Sequence, residues 1–448
     1  MRRHLAIIAL ISISTGWLVS LSNQPALTQY AMGDTEQAFL GATELTSVLD
    51  GGDAREYGQG GLAVLSSLTD IPVEQQQFSL SLQDETGAIA QTPEQQHTVP
   101  YFANMAALAM LSAPDGYAAV KAYLEWYVAH LNAKDRFGLA GTIYDYKRLG
   151  TEWVSTNDYD SADSYAATFL SLVAAYTRGS GDFSFAEQYF EQLVTVANVL
   201  LQLQDKDGLI WAKPRYYVKF LMDNAENYRG LLDAADLMQR LGRSGLADIY
   251  RSAAARVARG IEQKLWSEKR QCYAWAMYGK WWARYPKHRW YPDTVAQVYP
   301  IVFGVVPWDS ERAQALYAYL NDKYPHWVTG QFDDRYPWTI LALVAATMQD
   351  QTRAVAYLDN VNRQVFEPGQ GSKYPWYAGE SAFLLQAWHF LRSSIPAWRA
   401  IDSQEQEQQE TGDEVDIQEL EEEGVPTEVS SSDGPPAEEA KPATGVDE

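Results

Sequence analysis

One plan recurs along this chain: a turn reading Asp to Gly-Leu, an aromatic stretch, then a helix whose first turn carries acids. The fullest copy, residues 205–241, reads DKDGLIWAKPRYYVKFLMDNAENYRGLLDAADLMQRL. Its DGL turn and its aromatic, basic hairpin (Trp211, Lys213, Arg215, Tyr216, Lys219) precede a helix with Asp223 and Glu226 near its start. Leu231, Leu232, Ala235, Leu237 and Met238 continue that helix at a period of about 3.6 residues. Earlier in the chain DRFGL (135–139) leads through GTIYDYKRLGTEWVSTNDYD into DSADSYAATFLSLVAAY, with Asp160 and Asp163 in the corresponding place. A degenerate copy, CYAWAMYGKWWARYPKHRWYP, precedes Asp293 and VAQVYPIVFGVV, and the last, GQGSKYPWYAGESAFLLQAWHFL, sets Glu380 after Trp376 and Tyr377. A unit recurring at roughly 50 to 80 residues constrains the chain to an array of helical hairpins.

The hydrophobic pattern sorts the helices into two kinds. Segments apolar nearly all round fall at 99–112, 161–177, 224–241, 294–305, 336–348 and 379–393. One-sided helices alternate with them at 117–133, 183–204, 244–266, 310–323 and 350–364. Helices of the first kind need burial on every side, and those of the second should cover them. An inner ring of six inside an outer ring meets both needs, with the N-terminal segment supplying the sixth outer helix. Upstream, 34–49 has helical spacing and 62–68 is a short apolar run, while FSLSLQDETGAIA (78–90) alternates, turns at Gly87 and is expected to be a strand.

Charge divides the chain unevenly. Of the formal −23, residues 402–448 supply about −16 through 17 acids and the single Lys441, leaving the body at about −7. Residues 400–448 lack an apolar period and are expected to be a disordered acidic tail. So acidic a body argues against nucleic acid, which requires a basic stripe. Residues 1–23, MRRH followed by an apolar run, read as a secretory signal or signal anchor, which implies an exported or cell-surface protein. The lone Cys272 excludes an intramolecular disulfide. The body, 24–399, is expected to be one domain and to act as a monomer, touching a membrane only through that N-terminal segment.

The sequence resembles the six-hairpin glycosidases, the (α/α)6 toroid superfamily, from about residue 78 to about residue 398. The resemblance is carried by GAIAQTPEQQHTVPYFANMAALAML, DSADSYAATFLSLVAAY, DGLIWAKPRYYVKFLMDNAENYRGLLDAADLM and the closing WYAGESAFLLQAW. It implies an all-α fold, an (α/α)6 toroid with short β-hairpins at the cleft face. It also implies that loops at the N-terminal ends of the inner helices bind a polysaccharide or oligosaccharide and that glycosidic bonds are cleaved there. The alternative is a glycan-binding or polysaccharide-assembly protein on the same scaffold, since fold does not dictate chemistry. Sugar epimerases on this toroid use paired histidines, and only His97 and His389 lie near inner helices.

Glycoside cleavage needs two carboxyl groups across the bond, about 6.5–9.5 Å apart for inversion and about 5–5.5 Å for retention. Acids near inner-helix starts are Asp160, Asp163, Asp223, Glu226, Asp293, Asp333, Asp334 and Glu380. DSAD and DNAE also have the form of capping boxes, in which the first acid accepts helix N–H bonds. A carboxylate so placed has a lowered pKa and suits a base. The proton donor should be the acid most desolvated by aromatics. The expectation is therefore Glu226 or Glu380 as acid and Asp163 or Asp223 as the base activating water, with inversion.

Tyr101, Trp211, Trp290, Trp338, Trp376 and Tyr377 are expected against sugar rings, and Trp153, Trp281 and Trp282 are placed for the same role. Lys213, Arg215 and Lys219 form a basic cluster suited to acidic sugars, the alternative being pairing with neighbouring aspartates. No metal or other cofactor is expected. The six histidines lack HxH or HExxH spacing, and NDYDSAD lacks the glycine of a calcium loop. Nor does any GxSxG, Walker or GxGxxG signature occur.

Overall fold

The computed structural model describes residues 64–112, 116–367, 371–372 and 376–395. The expected leader (1–23), the helix at 34–49, the start of the 62–68 run and the acidic tail (400–448) lie outside the described residues.

Among the described residues two sets of helices alternate. The inner set is α2 (Pro100–Met110), α4 (Ala162–Ser180), α6 (Leu221–Arg240), α8 (Tyr299–Val302), α10 (Ile340–Thr347) and α12 (Ala378–Ser394). The outer set is α1 (Ile71–Ser81), α3 (Gly116–Ala129), α5 (Phe190–Leu203), α7 (Ser244–Gly260), α9 (Glu311–Lys323) and α11 (Gln351–Val365). The inner helices touch in the cyclic order α2, α4, α6, α8, α10, α12, and α12 closes back onto α2. Of the outer ones, α1 lies against α2 and α12, α3 against α2 and α4, α5 against α4 and α6, and α11 against α10 and α12. Each inner helix from α2 to α10 is followed by an outer one that returns the chain, and α1 precedes α2, so the inner N-terminal ends share one face.

Sequence pattern accounts for the division. Every residue of α10 from Ile340 to Ala346 is buried, whereas α7 buries a stripe of Ala247, Tyr250, Ala254 and Val257 and leaves its other side wet. Each fully buried leucine or valine contributes about 1.5–3 kcal/mol, so an inner helix has no stable exposed alternative.

The repeated turns are built alike. In Asp84–Gly87, Asp135–Gly138 and Asp205–Gly208 the glycine N–H donates to the aspartate carbonyl at 3.0 Å in each case. Those glycines have φ of +90°, +94° and +92°, a conformation that disfavours any side chain. The turns also lock one hairpin to the next. Gln83 and Gln204 each reach their own turn glycine's carbonyl and then a carbonyl of the following outer helix, Ala119 at 2.9 Å and Ala253 at 3.0 Å.

Short antiparallel strands precede the inner helices. One sheet orders β1 (His97–Thr98), β2 (Tyr146–Leu149) and β3 (Glu152–Ser155) before α4. Following β4 (Val218–Phe220), a hairpin of β5 (Trp266–Ser267) and β6 (Cys272–Tyr273) leads to β7 (Ala276–Tyr278) and β8 (Trp282–Arg284). The second sheet has the order β4-β7-β8, and β4 runs straight into α6.

Three expectations change. The strand expected at 78–90 is the end of α1 followed by a turn, with only an isolated bridge from Gln83 to Ile89. Helix α1 buries Gln75 and Gln76 alongside Ile71 and Phe78, so polar residues on its inner face hid the helical period. The helix expected at 294–305 is α-helical only from Tyr299 to Val302, because Pro292 and Pro300 interrupt the backbone hydrogen bonding before it. The one expected from 336 starts at Ile340, after Trp338 adopts φ +53°.

Candidate active site

The acids converge where α4 and α6 begin. Asp223 lies in the first turn of α6 and Glu226 follows one turn on, so both lie on the same side of that helix. Ser161, just before α4, donates its hydroxyl to Asp223 Oδ2 at 3.0 Å. Tyr101, on α2, donates its phenol to Glu226 Oε1 at 2.6 Å. Asp163, fully buried on α4, accepts from Asn227 Nδ2 at 2.8 Å through Oδ2, while its Oδ1 and Asn227 Oδ1 have no hydrogen-bond partner.

Capping is not what holds these acids. The N-cap positions are Ser161 and Phe220, and neither helix carries a side-chain cap bond, so the capping-box reading of DSAD and DNAE fails. The lowered pKa that capping would bring fails with it. Burial, then the charge of Asp223, pushes Glu226 up to about 8, with Tyr101's hydrogen bond opposing the rise. Burial and then Asp160 push Asp223 up to about 7. Asp163, fully buried, is raised well above the carboxylate range by burial and then by the charge of Asp223.

Two further acids join this cluster. Asp160 is open to solvent, yet the protein around it displaces enough water to raise its carboxyl, with Lys213 opposing. Asp145, just before β2, accepts from Tyr165 Oη at 2.8 Å and is pushed up to about 7 by burial, the hydrogen bond opposing and Asp160 adding to the rise. Asp145 escaped the sequence reading because it precedes a strand, away from any helix start.

Glu380 is placed differently. On α12, opposite α6 in the ring, it accepts from the N–H and hydroxyl of Thr339, both at 2.8 Å. Burial raises its carboxyl and those bonds oppose the rise. It therefore ties α12 to the start of α10, with its Oε2 committed there.

The expected aromatic and basic groups separate into cleft and interior. Tyr291 and Trp338 stack with centroids 5.1 Å apart, Tyr291 being 47% exposed, and Trp338 Nε1 donates to Asp334 Oδ2 at 3.0 Å. Burial, then the charges of Asp160 and Asp223, raise the Tyr291 phenol, so the stack lies within electrostatic reach of the acids. Tyr377 stands edge-on to Phe102 and Tyr336. Lys213 donates to the carbonyl of Tyr159 at 2.6 Å, and Arg215 is exposed with φ +61°.

Trp290 and Trp376 are interior instead: each is 1% exposed, Trp290 stacked on Phe332 and Trp376 bonded to Gln75. Lys219 is also interior, at 0% exposed, held by Asp205 at 2.8 Å and Asp207 at 2.7 Å beneath the ring of Trp211. A cation taken out of water needs such partners, so its charge is unavailable to a ligand.

No family model and no curated protein matches the chain. Solved structures do. A rhamnosidase from Klebsiella oxytoca with rhamnose bound aligns with a TM-score of 0.52 at 14% identity, over 78% of this chain and 66% of that one. A glycosidase variant in complex with glucose aligns with a TM-score of 0.54 at 14% identity, over 78% of this chain and 100% of that one. The GH78 family rhamnosidase of Bacillus sp. GL1 aligns at 13% identity with a TM-score of 0.48, over 72% of this chain and only 34% of its own length. The fold is thus the (α/α)6 toroid, as the helix ring already indicated. Within that class the structures it matches are six-hairpin glycosidases.

Proposed function

We propose that this protein is a glycoside hydrolase with Glu226 as its proton donor. The observation that carries the reading is Glu226 itself: a buried carboxyl raised to about 8, hydrogen-bonded across the ring by Tyr101, among the acids at the inner-helix ends. Such a group keeps its proton at neutral pH, as protonation of a leaving glycosidic oxygen requires.

Water activation falls to Asp160 and Asp223. Asp223 is pushed up to about 7 by burial and then by the charge of Asp160, so the two acids act on each other at the mouth of the site. Asp160 is also the acid open to water, and it precedes α4 while Glu226 belongs to α6. The fold of rhamnose-bound and glucose-bound glycosidases supports a carbohydrate substrate.

A second reading, a glycan-binding protein without catalysis, draws on Glu380, whose carboxylate is spent on Thr339 where the opposite wall could have supplied a base. Reducing-sugar release from a polysaccharide panel separates the two. Hydrolysis lost in Glu226→Gln and reduced in Asp160→Asn supports the enzyme. Release by neither wild type nor variants, with glycan still bound, leaves the binding protein.

A further inference from the structure

Outside the acid cluster, the β7–β8 hairpin and the segment after it carry exposed aromatic rings and cations together. Trp281 and Trp282 are 87% and 71% exposed. Two adjacent indoles left in water are an apolar patch that a monomer gains nothing by displaying. Residues 280–289, KWWARYPKHR, add Lys280, Arg284, Lys287, His288 and Arg289 and contain no acid. Arg289 pairs with Asp293, but among the described residues Lys280, Arg284 and Lys287 make no ion pair. In a body of net charge about −7, unpaired cations beside exposed tryptophans stand out.

The hairpin belongs to the cleft. Its β7 strand pairs with β4, Val218 opposite Tyr278 and Phe220 opposite Ala276, and Phe220 is the residue from which α6 starts. The Leu221 N–H donates to the Trp275 carbonyl at 3.0 Å, joining the hairpin base to the helix that carries Asp223 and Glu226. Beyond β8 the chain runs from Arg284 to Tyr291, which stacks on Trp338 beside the acids. One run of chain, residues 282–291, therefore joins the exposed indoles to the Tyr291–Trp338 stack.

We propose that this strip is a binding track for an anionic, uronate-bearing polysaccharide. Pyranose rings stack on Trp281 and Trp282, and sugar carboxylates pair with Arg284 and Lys287. The track brings a chain toward the mouth while its charges stay apart from the acids that a neutral ring must meet there. It deepens the hydrolase reading and rests on that reading only for the direction of travel. Tryptophan beside lysine and arginine also suits an anionic lipid surface. Continuity with β4 and Tyr291 favours the glycan, since a membrane seated on the hairpin would cover the mouth it leads to.

The test is calorimetric titration of the full-length Glu226→Gln chain, which binds without turnover. Polygalacturonate oligomers, neutral gluco-oligomers of equal length, sulfated dextran and anionic phospholipid vesicles are the probes. The uronate oligomer should bind at least about tenfold tighter than the neutral one. The pairs Trp281→Ala with Trp282→Ala, and Arg284→Glu with Lys287→Glu, should each weaken it by about tenfold or more, and added salt should weaken it further. Equal binding of neutral oligomer, preference for sulfated dextran, binding of vesicles alone, or unchanged affinity in both variant pairs overturns the track. The hydrolase reading fails separately: uronate binding without hydrolysis by wild type removes the enzyme and keeps the track, and hydrolysis of neutral glycans without uronate binding does the reverse.

Discussion

The phenol of Tyr101 and the carboxyl of Glu226 meet at 2.6 Å although α2 and α6 are separated in the ring by α4. The bond crosses the ring's interior, so it orients Glu226 towards the axis and stabilises the ionised form against the burial that opposes ionisation. Removing the phenol should therefore raise the carboxyl further.

In Tyr101→Phe the alkaline limb of kcat/KM is expected to move to higher pH, by up to about one unit, with kcat lowered as the acid loses its orientation. The measurement is a pH profile on the best polysaccharide found. A limb that stays in place, or moves down, removes Glu226 as the titrating acid.

Wild-type activity should follow a bell. Its acidic limb reports the Asp160 and Asp223 pair, its alkaline limb Glu226, with Asp223 pushed up to about 7 and Glu226 to about 8. Asp160→Asn removes the charge that raises Asp223, so the acidic limb should shift down while kcat falls by about 10²-fold or more.

Stability should show the same group with the opposite consequence. Glu226 holds its proton more tightly folded than unfolded, so between the ordinary value of 4.5 and about 8 the folded state loses stability as pH rises. Glu226→Gln removes that loss. Its Tm at pH 8 should exceed that of wild type by about 2–6 °C, with the difference shrinking towards pH 5. An unchanged difference across that range would mean that the carboxyl is not the source.

Gly208→Ala should destabilise by about 2–4 kcal/mol in urea unfolding. The residue has φ +92°, and an added Cβ would stand 2.2 Å from the Arg256 carbonyl oxygen on α7. A loss below about 0.5 kcal/mol would show that the turn yields freely.

Lys219→Met should cost about 3–5 kcal/mol by leaving Asp205 and Asp207 facing each other unpaired at the third turn. KM for an acidic glycan should be unaltered at temperatures where the variant is folded. A rise in KM without loss of stability would return Lys219 to the ligand.

Much of this was legible along the chain. The alternation of all-round and one-sided apolar helices announced the double ring, and the Asp-to-Gly turns marked its hairpins, because burial and positive φ act locally and leave a local trace. Glu226 was legible for a related reason, as an acid one turn into a helix that must be buried. Other choices depended on partners distant in sequence. Lys219 and Arg215 look alike in PRYYVK, yet one is fully buried between aspartates and the other faces solvent. Glu380 and Glu226 both begin apolar helices, but Thr339 occupies the first and Tyr101 orients the second. Asp145 joins the site only once the loop before β2 folds against Tyr165 of α4. A sequence determines which side chains must leave water, since that cost belongs to each residue. Which of them then share a charge depends on distances set by ring closure, and those exist only in three dimensions.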